Sequence, residues 1–328
     1  MSAIDVVIVT WNSGETIDRC LQSCAESPSD LRVTVVDNAS SDDTTERVQA
    51  HTDVYLIANS ENRGFAAAVN QGVAQSRAEC VLLLNPDVEL LGSVEPLVET
   101  LSSPDVVMAA GRLEDMHGDW QSGFTVRRLP SPLALAFEVL GLNRVLPGNA
   151  VNRHYRYLDQ PLDRAADVEQ PAGAFLLFRR ELWRELGGFD ERFFPVWFED
   201  VDFCKRALAR GRIRYVPQVR ARHQGGASIA QLNWAHREAY WYGSLLKYAS
   251  KHFSPFKSRG VCGAVVLGSA IRSLIGVFSR RTLQAISVYG KIAGLATRCL
   301  VGGRLSDPAP VEGCKQGSRV RTITSGTK

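Results

Sequence analysis

Val81-Leu82-Leu83-Leu84-Asn85-Pro86-Asp87-Val88-Glu89-Leu90 is an apolar run that stops abruptly at a carboxylate. Residues 81–84 read as a strand buried on both faces, the pattern of a sheet covered by helices on each side. Pro86 has no N–H to give a ladder and ends the strand. Asp87 is thereby set at the C-terminal rim, where open α/β sheets bind their ligands. An aspartate in the turn after a strand is also ordinary turn chemistry, so Asp87 alone leaves both readings open.

The flanking sequence supplies the alternation such a sheet needs. Strands are expected at 4–10, 31–36, 54–58, 80–84 and 106–110, with helices at 14–23, 41–50, 64–76 and 93–101 between them. This order predicts an α/β fold with a mostly parallel central sheet and right-handed crossovers. Between residues 111 and 170, Pro130, Pro132, Pro147 and Pro161 interrupt the pattern and suggest long loops. Order resumes with a strand over 172–179 and a helix over 180–186 that Gly187-Gly188 terminates. A helix over 199–209, a strand over 213–216 and a long helix over 231–250 follow. The last twenty or so residues, rich in Gly, Ser, Pro and Lys, are expected to be disordered.

At 328 residues and 45% hydrophobic, the chain suits one large domain, or one domain with an appendage. Its net charge of +3 conceals a strong asymmetry. Residues 1–238 carry a net −9, whereas residues 239–306 hold ten basic side chains and no Asp or Glu. A basic C-terminal part on an acidic globular part points to an anionic surface as partner and argues against nucleic acid. The seven cysteines lack paired metal-ligand spacing and read as reduced, buried small hydrophobes. No secretory leader is apparent, so a cytoplasmic protein is expected.

Three neighbouring strand ends carry polar groups: Thr10-Trp11-Asn12, Asp37-Asn38-Ala39-Ser40 and Asn85-Pro86-Asp87. Together they offer one crevice a hydroxyl, amides and two carboxylates. Arg63-Gly64 opens a helix, where free N–H groups and a guanidinium suit a phosphate; Gly64 as simple turn chemistry is the alternative. A carboxylate beside a diphosphate implies Mn2+ or Mg2+, with phosphate oxygens as further ligands. His223, in a polar loop after a strand, is a candidate further ligand, or merely an exposed histidine. Glu199-Asp200-Val201-Asp202 sets three carboxylates at a helix start amid Trp197, Phe198 and Phe203. They read either as helix-dipole partners or as a partly desolvated base.

Taken in order, Val9-Thr10-Trp11-Asn12, Val36-Asp37-Asn38-Ala39-Ser40, Asn62-Arg63-Gly64-Phe65, Leu84-Asn85-Pro86-Asp87 and Gly187-Gly188-Phe189-Asp190-Glu191 through Asp202 resemble glycosyltransferase family 2. The rhamnosyltransferase-like branch is most similar, and the likeness runs from about residue 4 to 226. It implies a GT-A fold and inverting sugar transfer from a nucleotide-diphosphate sugar, dTDP- or UDP-linked. By the resemblance, Thr10 and Asp37 hold base and ribose, with Asn12, Asn38, Arg63, Gly64 and Asn85 in the same donor site. Asp87 binds metal and diphosphate, and His223 completes the metal site. Asp200 is the base, with Glu199 beside it. Asn85 stands where the family's DxD motif begins with Asp, so metal affinity without nucleotide is expected to be weak.

These readings divide the chain into a donor-binding half at 1–110, an acceptor-binding and catalytic half at 111–252, a basic helical extension at 253–306 and a tail at 307–328. Residues 260–278 are apolar apart from Arg272 and small polar residues. An interfacial helix on an anionic membrane is expected there, with a core helix and a spanning helix as alternatives. Attachment would bring a polyprenyl-linked or polysaccharide acceptor of cell-envelope synthesis to the site, peripherally on the cytoplasmic face. Two other functions fit parts of the sequence: a nucleotide-sugar-binding protein without catalysis, and a sugar nucleotidyltransferase. Trp11-Asn12-Ser13-Gly14-Glu15 does not resemble the Gly-rich, basic loop that the second requires.

Overall fold

The β-branched and leucine runs pair into the expected parallel sheet in a computed structural model that describes residues 3–226, 231–280, 283–302 and 321–322. β1 (Ile4–Thr10), β2 (Leu31–Asp37), β3 (Val54–Ala58) and β4 (Cys80–Leu84) lie in the order β3-β2-β1-β4, all parallel. α1 (Ile17–Ala25), α2 (Thr44–Ala50) and α3 (Phe65–Gln75) make the crossovers. Every residue of β1 is buried, and its alternation splits between two cores. Val6 and Ile8 join Leu82 and Leu84 on one side, while Val7 and Val9 join Leu83 on the other. Each such fully buried side chain contributes about 1.5–3 kcal/mol, which explains why strands without polar alternation sit at the centre.

The second half continues with β5 (Val88–Leu90), α4 (Glu95–Leu101) and β6 (Val106–Glu114). Residues 111–170 are not the long loops expected. They contain β7 (Val126–Arg127), α5 (Pro132–Leu140), α6 (Leu142–Val145), α7 (Ala150–Tyr155) and β8 (Ala166–Val168). Pro132 misled because it starts a helix rather than breaking one. It occupies the first turn, where an N–H has no intrahelical partner, and the Ser131 hydroxyl accepts from the Ala134 N–H at 3.1 Å.

β9 (Gln170–Pro171) pairs with β7, and β10 (Phe175–Arg179) lies antiparallel between β4 and β6. α8 (Arg180–Leu186) ends at Gly187, whose φ of +70° is the left-handed cap the sequence called for. α9 (Glu199–Ala207) leads into β11 (Arg212–His223), twelve residues long rather than four. The strand tolerates Pro217 because its pairing with β6 shifts register between Tyr215 and Arg220. This extension runs parallel to β6 and antiparallel to β5. β12 (Arg321–Thr322) pairs by its backbone with β3. The rest of the expected disordered tail, Cys314 included, lies outside the described residues.

α10 (Trp234–His252), α11 (Pro255–Arg280) and α12 (Gln284–Leu300) form a third core with α5. Tyr242, Leu245 and Tyr248 meet Val261, Val265, Val288 and Tyr289 there. α11 is long and apolar enough to cross a membrane by length and composition, with a mean hydropathy of 1.8 over its most apolar 18 residues. Its inner face is nevertheless packed on protein. A Cβ on Gly268 would come within 2.2 Å of the Val139 carbonyl oxygen, and Arg272 donates to the Glu138 carbonyl at 3.1 Å. The extension is thus a core layer on one side, and its other side exposes Leu267, Leu274 and Ile275. Cys20, Cys24, Cys80, Cys204, Cys262 and Cys299 are free thiols, as expected.

Candidate active site

The register of β1 with β4, Ile8 opposite Leu84, carries Thr10 and Asn85-Pro86-Asp87 out at one rim. On the β1–β2 side the polar groups are spent on each other. The Thr10 hydroxyl donates to Asp37 Oδ1 at 2.8 Å, and the Ser40 N–H donates to Asp37 Oδ2 at 2.9 Å. Asn12 adopts a left-handed φ of +49°, donates its N–H to Ser40 Oγ at 2.7 Å and accepts from the Ser41 N–H at 2.7 Å. Asn38 donates to the Gly64 carbonyl at 3.2 Å and accepts from Asn59 at 3.2 Å. Thr10, Asp37 and Asn38 are therefore a buried floor that fixes three loops relative to one another.

Gly64 caps the start of α3, as expected, but the N–H groups there are already engaged. Its own N–H donates to Asn62 Oδ1 at 2.9 Å, and the Phe65 N–H donates to the Pro195 carbonyl at 2.8 Å. A phosphate would have to displace both bonds. Gly64 is required instead by close approach: its φ is +81°, and a Cβ would lie 2.8 Å from the Phe194 ring. Arg63 lines a groove of about 590 Å3 with Asn70, Trp183, Arg184 and Glu191. None of the other candidate residues apart from Arg63 lines that groove.

Asp87 and His223 come together because β5 pairs with the far end of β11, with Val88 opposite His223. His223 is the buried last residue of a strand, and the polar loop expected around it begins only afterwards. Its Nε2 lies 3.5 Å from Asp87 Oδ1, longer than an ordinary hydrogen bond, while Asp87 Oδ2 accepts from the Gly225 N–H at 3.1 Å. Gln121 holds the other edge of His223: its Nε2 donates to the His223 carbonyl at 2.8 Å and its Oε1 lies 2.8 Å from His223 Nδ1. Phe124 stacks on the imidazole at 5.1 Å. A carboxylate oxygen and an imidazole nitrogen converging at this spacing suit Mn2+ or Mg2+. Among the described residues no group of three or more His, Cys, Asp or Glu side chains gathers around a metal position.

Glu199 and Asp200 begin α9 after Trp197 and Phe198, whose φ values of +80° and +69° are strained for bulky residues. Phe198 is held by Tyr248 at 5.5 Å and Trp241 at 6.3 Å. Asp200 Oδ2 accepts from the Gly173 N–H at 3.0 Å and Oδ1 from the Val201 N–H at 2.8 Å. Burial pushes its carboxyl above the usual aspartate range, against the pull of those N–H donors and Arg127. Glu199 is pushed well above its range by burial and by the Asp200 charge, and its Oε2 has no hydrogen-bond partner. Asp202 differs from both. It is fully buried and bound by Arg206 at 2.8 Å, His252 at 2.6 Å and Lys251 at 2.6 Å.

One short segment joins the two chemical centres. The Gly173 N–H holds Asp200, and the next carbonyl, Ala174, accepts from the Asn85 N–H at 3.0 Å, two residues before Asp87. A Cβ on Gly173 would sit 3.0 Å from Asp200 Cβ, so any larger residue there would press on the Asp200 side chain. Sequence reasoning missed Gly173 and Gln121. The glycine inside an apolar strand-like run was a usable signal for the first. Nothing in the sequence marks Gln121, 102 positions from its histidine.

A doubly covered sheet, with carboxylates at the rim of its parallel strands and a second carboxylate pair across a glycine bridge, is the GT-A architecture of glycosyltransferases. The chain belongs to glycosyl transferase family 2, whose profile matches residues 5–186. It is 29% identical over 271 residues to an N-acetylglucosaminyl-diphospho-decaprenol L-rhamnosyltransferase of Mycobacterium tuberculosis, covering 76% of this chain and 85% of that one. A pre-mycofactocin glycosyltransferase of the same organism is 27% identical over 308 residues, 92% of this chain but only 57% of the relative. Among solved structures, a mannosyltransferase of Pyrobaculum calidifontis in complex with GDP-Man and Mn2+ aligns with a TM-score of 0.51 at 20% identity, over 90% of this chain and 84% of that one. GalNAc-T7 with UDP, GalNAc and Mn2+ aligns at 0.52 and 16% identity, over 77% of this chain and 52% of that one.

Proposed function

We propose that the chain transfers a sugar, with rhamnose favoured, from a UDP- or dTDP-sugar to a hydroxyl of a polyprenyl-linked acceptor with inversion at the anomeric carbon. The observation that carries this reading is the Gly173-Ala174 bridge. It ties a raised-pKa carboxylate at Asp200 to the Asp87–His223 pair in one rigid unit. The rhamnosyltransferase relative, whose name specifies a decaprenyl-diphosphate acceptor, supports both the sugar and the acceptor class.

In a single displacement, Asp200 takes the proton of the acceptor hydroxyl as that oxygen attacks the anomeric carbon. The nucleoside diphosphate leaves from the opposite face. A base whose pKa is lifted toward neutrality transfers the proton more effectively, and such help is worth about 10²–10⁴ in rate. Glu199, whose carboxyl burial holds well above its usual range and whose Oε2 is unpartnered, stands beside the base rather than acting as a second base. Thr10, Asn12, Asp37 and Asn38 shape the donor floor, and Asn85 lies between floor and metal pair. Arg63 then faces the outer groove rather than the diphosphate.

Asp87 and His223 would hold Mn2+ or Mg2+, with donor phosphates filling the remaining positions. When bound, the cation offsets the charge that develops on the departing diphosphate. Residues 1–110 then serve the donor, 111–252 the acceptor, and 253–306 the membrane.

The outer face of α11 exposes Leu267, Leu274 and Ile275, and Leu283 and Ile286 are exposed at the start of α12. The neighbouring α6 adds exposed Leu142, Val145 and Leu146 around Arg144. With Lys257, Arg259 and Lys291 on the same helical layer and no acidic residue in 239–306, this apolar and basic face fits an anionic bilayer from the cytoplasmic side.

The test is transfer from a panel of UDP- and dTDP-sugars with Mn2+ to a polyprenyl-diphosphate-linked N-acetylglucosamine. Donor binding without any transfer or hydrolysis would favour a binding protein and refute the enzyme reading.

A further inference from the structure

Gln121 lies in a turn between β6 and β7 that no motif marks. Its amide nitrogen faces the His223 carbonyl oxygen, which can only accept, so the amide orientation is fixed. Its Oε1 must then face His223 Nδ1, and an amide oxygen can only accept as well. Nδ1 therefore carries the ring proton. In the neutral imidazole the lone pair is then on Nε2, the atom turned toward Asp87 Oδ1 at 3.5 Å. Phe124 stacks on the ring with an interplanar angle of 18°, which removes its freedom to rotate.

The turn is also tied to the other half of the site. Its Thr125 carbonyl accepts from the Ala172 N–H at 2.9 Å, and the next N–H, Gly173, holds Asp200. The segment that orients His223 is thus fixed to the segment that orients the base.

We propose that Gln121 is a positioning residue that sets the tautomer of His223 and so makes its Nε2 available as a metal ligand. Partners that fix the tautomer and direction of a ligating histidine typically change metal affinity by about 10–100-fold. The proposal rests on the reading of Asp87 and His223 as the metal pair.

The test uses the full chain labelled with 15N-histidine, with the His223 signals assigned by their loss in His223→Gln. Wild-type protein without metal is expected to show His223 protonated on Nδ1, and Gln121→Leu to lose that preference. Mn2+ binding is then read by electron paramagnetic resonance with UDP or dTDP present. Gln121→Leu is expected to weaken it by about 10–100-fold. Gln121→Glu keeps an acceptor for Nδ1–H but loses the bond to the His223 carbonyl, and is expected to bind Mn2+ nearly as wild type does. Equal weakening in both variants would reduce Gln121 to a structural prop and overturn the proposal. An Nε2–H tautomer in the wild type would overturn it while leaving the metal pair standing. Unchanged Mn2+ binding in His223→Gln would overturn the metal reading and this proposal with it.

Discussion

Asp202→Ala and Asp200→Asn, two positions apart on one helix, should fail in opposite ways. Asp202 is fully buried, and Arg206, Lys251 and His252 converge on it at 2.6–2.8 Å. Burial works against its charge, but hydrogen bonds from His252 and Lys251 prevail and hold its carboxyl below the usual range. Removing one partner of a buried ion pair costs about 3–5 kcal/mol. Two of the three groups keep other partners: Lys251 still reaches Asp190 at 2.6 Å, and Arg206 still donates to the carbonyls of Leu186 and Gly188. The low end, about 3 kcal/mol, therefore applies, which for a chain of 328 residues corresponds to a Tm lower by roughly 4 °C.

Calorimetry at neutral pH reads this directly. Asp202 stabilises above its unfolded pKa, and that contribution is lost as pH falls through its lowered folded pKa, so the gap from wild type should close in acid. Asp200→Asn removes a carboxylate that burial disfavours but sets an amide NH2 against one of the Gly173 and Val201 N–H donors, so its Tm should fall by much less than that of Asp202→Ala. If the two variants shifted Tm alike, the division of this cluster into a clamp and a base would be wrong.

Glu199→Gln is expected to gain stability over wild type as pH rises. A carboxyl with a raised folded pKa carries no penalty below its unfolded pKa and an increasing one above it, so a larger gain in acid would contradict the assignment. The acid limb of kcat/KM should lie above the ordinary aspartate range and disappear in Asp200→Asn; a limb at the ordinary aspartate value would count against a desolvated base. Chelation should abolish transfer and Mn2+ restore it, with Asp87→Ala needing much higher metal; indifference of that variant to metal concentration would exclude Asp87 as a ligand. Leu274→Glu with Ile275→Glu should release the protein from floating anionic liposomes without lowering Tm. Full recovery with the vesicles would exclude this face as the contact.

The alternation of apolar strands and helices was legible because a doubly covered sheet needs uninterrupted burial, and β1 to β4 lie where the runs of Val, Ile and Leu predict. Asp87 was legible for the same reason, since Pro86 fixes where its strand ends. Pro132 and Pro217 were misleading because one starts a helix and the other sits in a register shift, contexts that only pairing reveals. His223 looked like a loop residue until β11 proved long enough to set it beside Asp87. The extension was half legible: composition marked its basic, apolar character, but its packed inner face depends on α5, more than a hundred residues earlier.

The most direct measurement is transfer by Asp200→Asn compared with wild type, using Mn2+, a dTDP- or UDP-sugar and the polyprenyl-linked acceptor, with the product anomer read by NMR. Wild type should give product of inverted configuration. The variant should bind donor as tightly and transfer about 10²–10⁴ times more slowly. Wild-type turnover by Asp200→Asn, or a product that retains the donor's configuration, would contradict a single displacement with Asp200 as base.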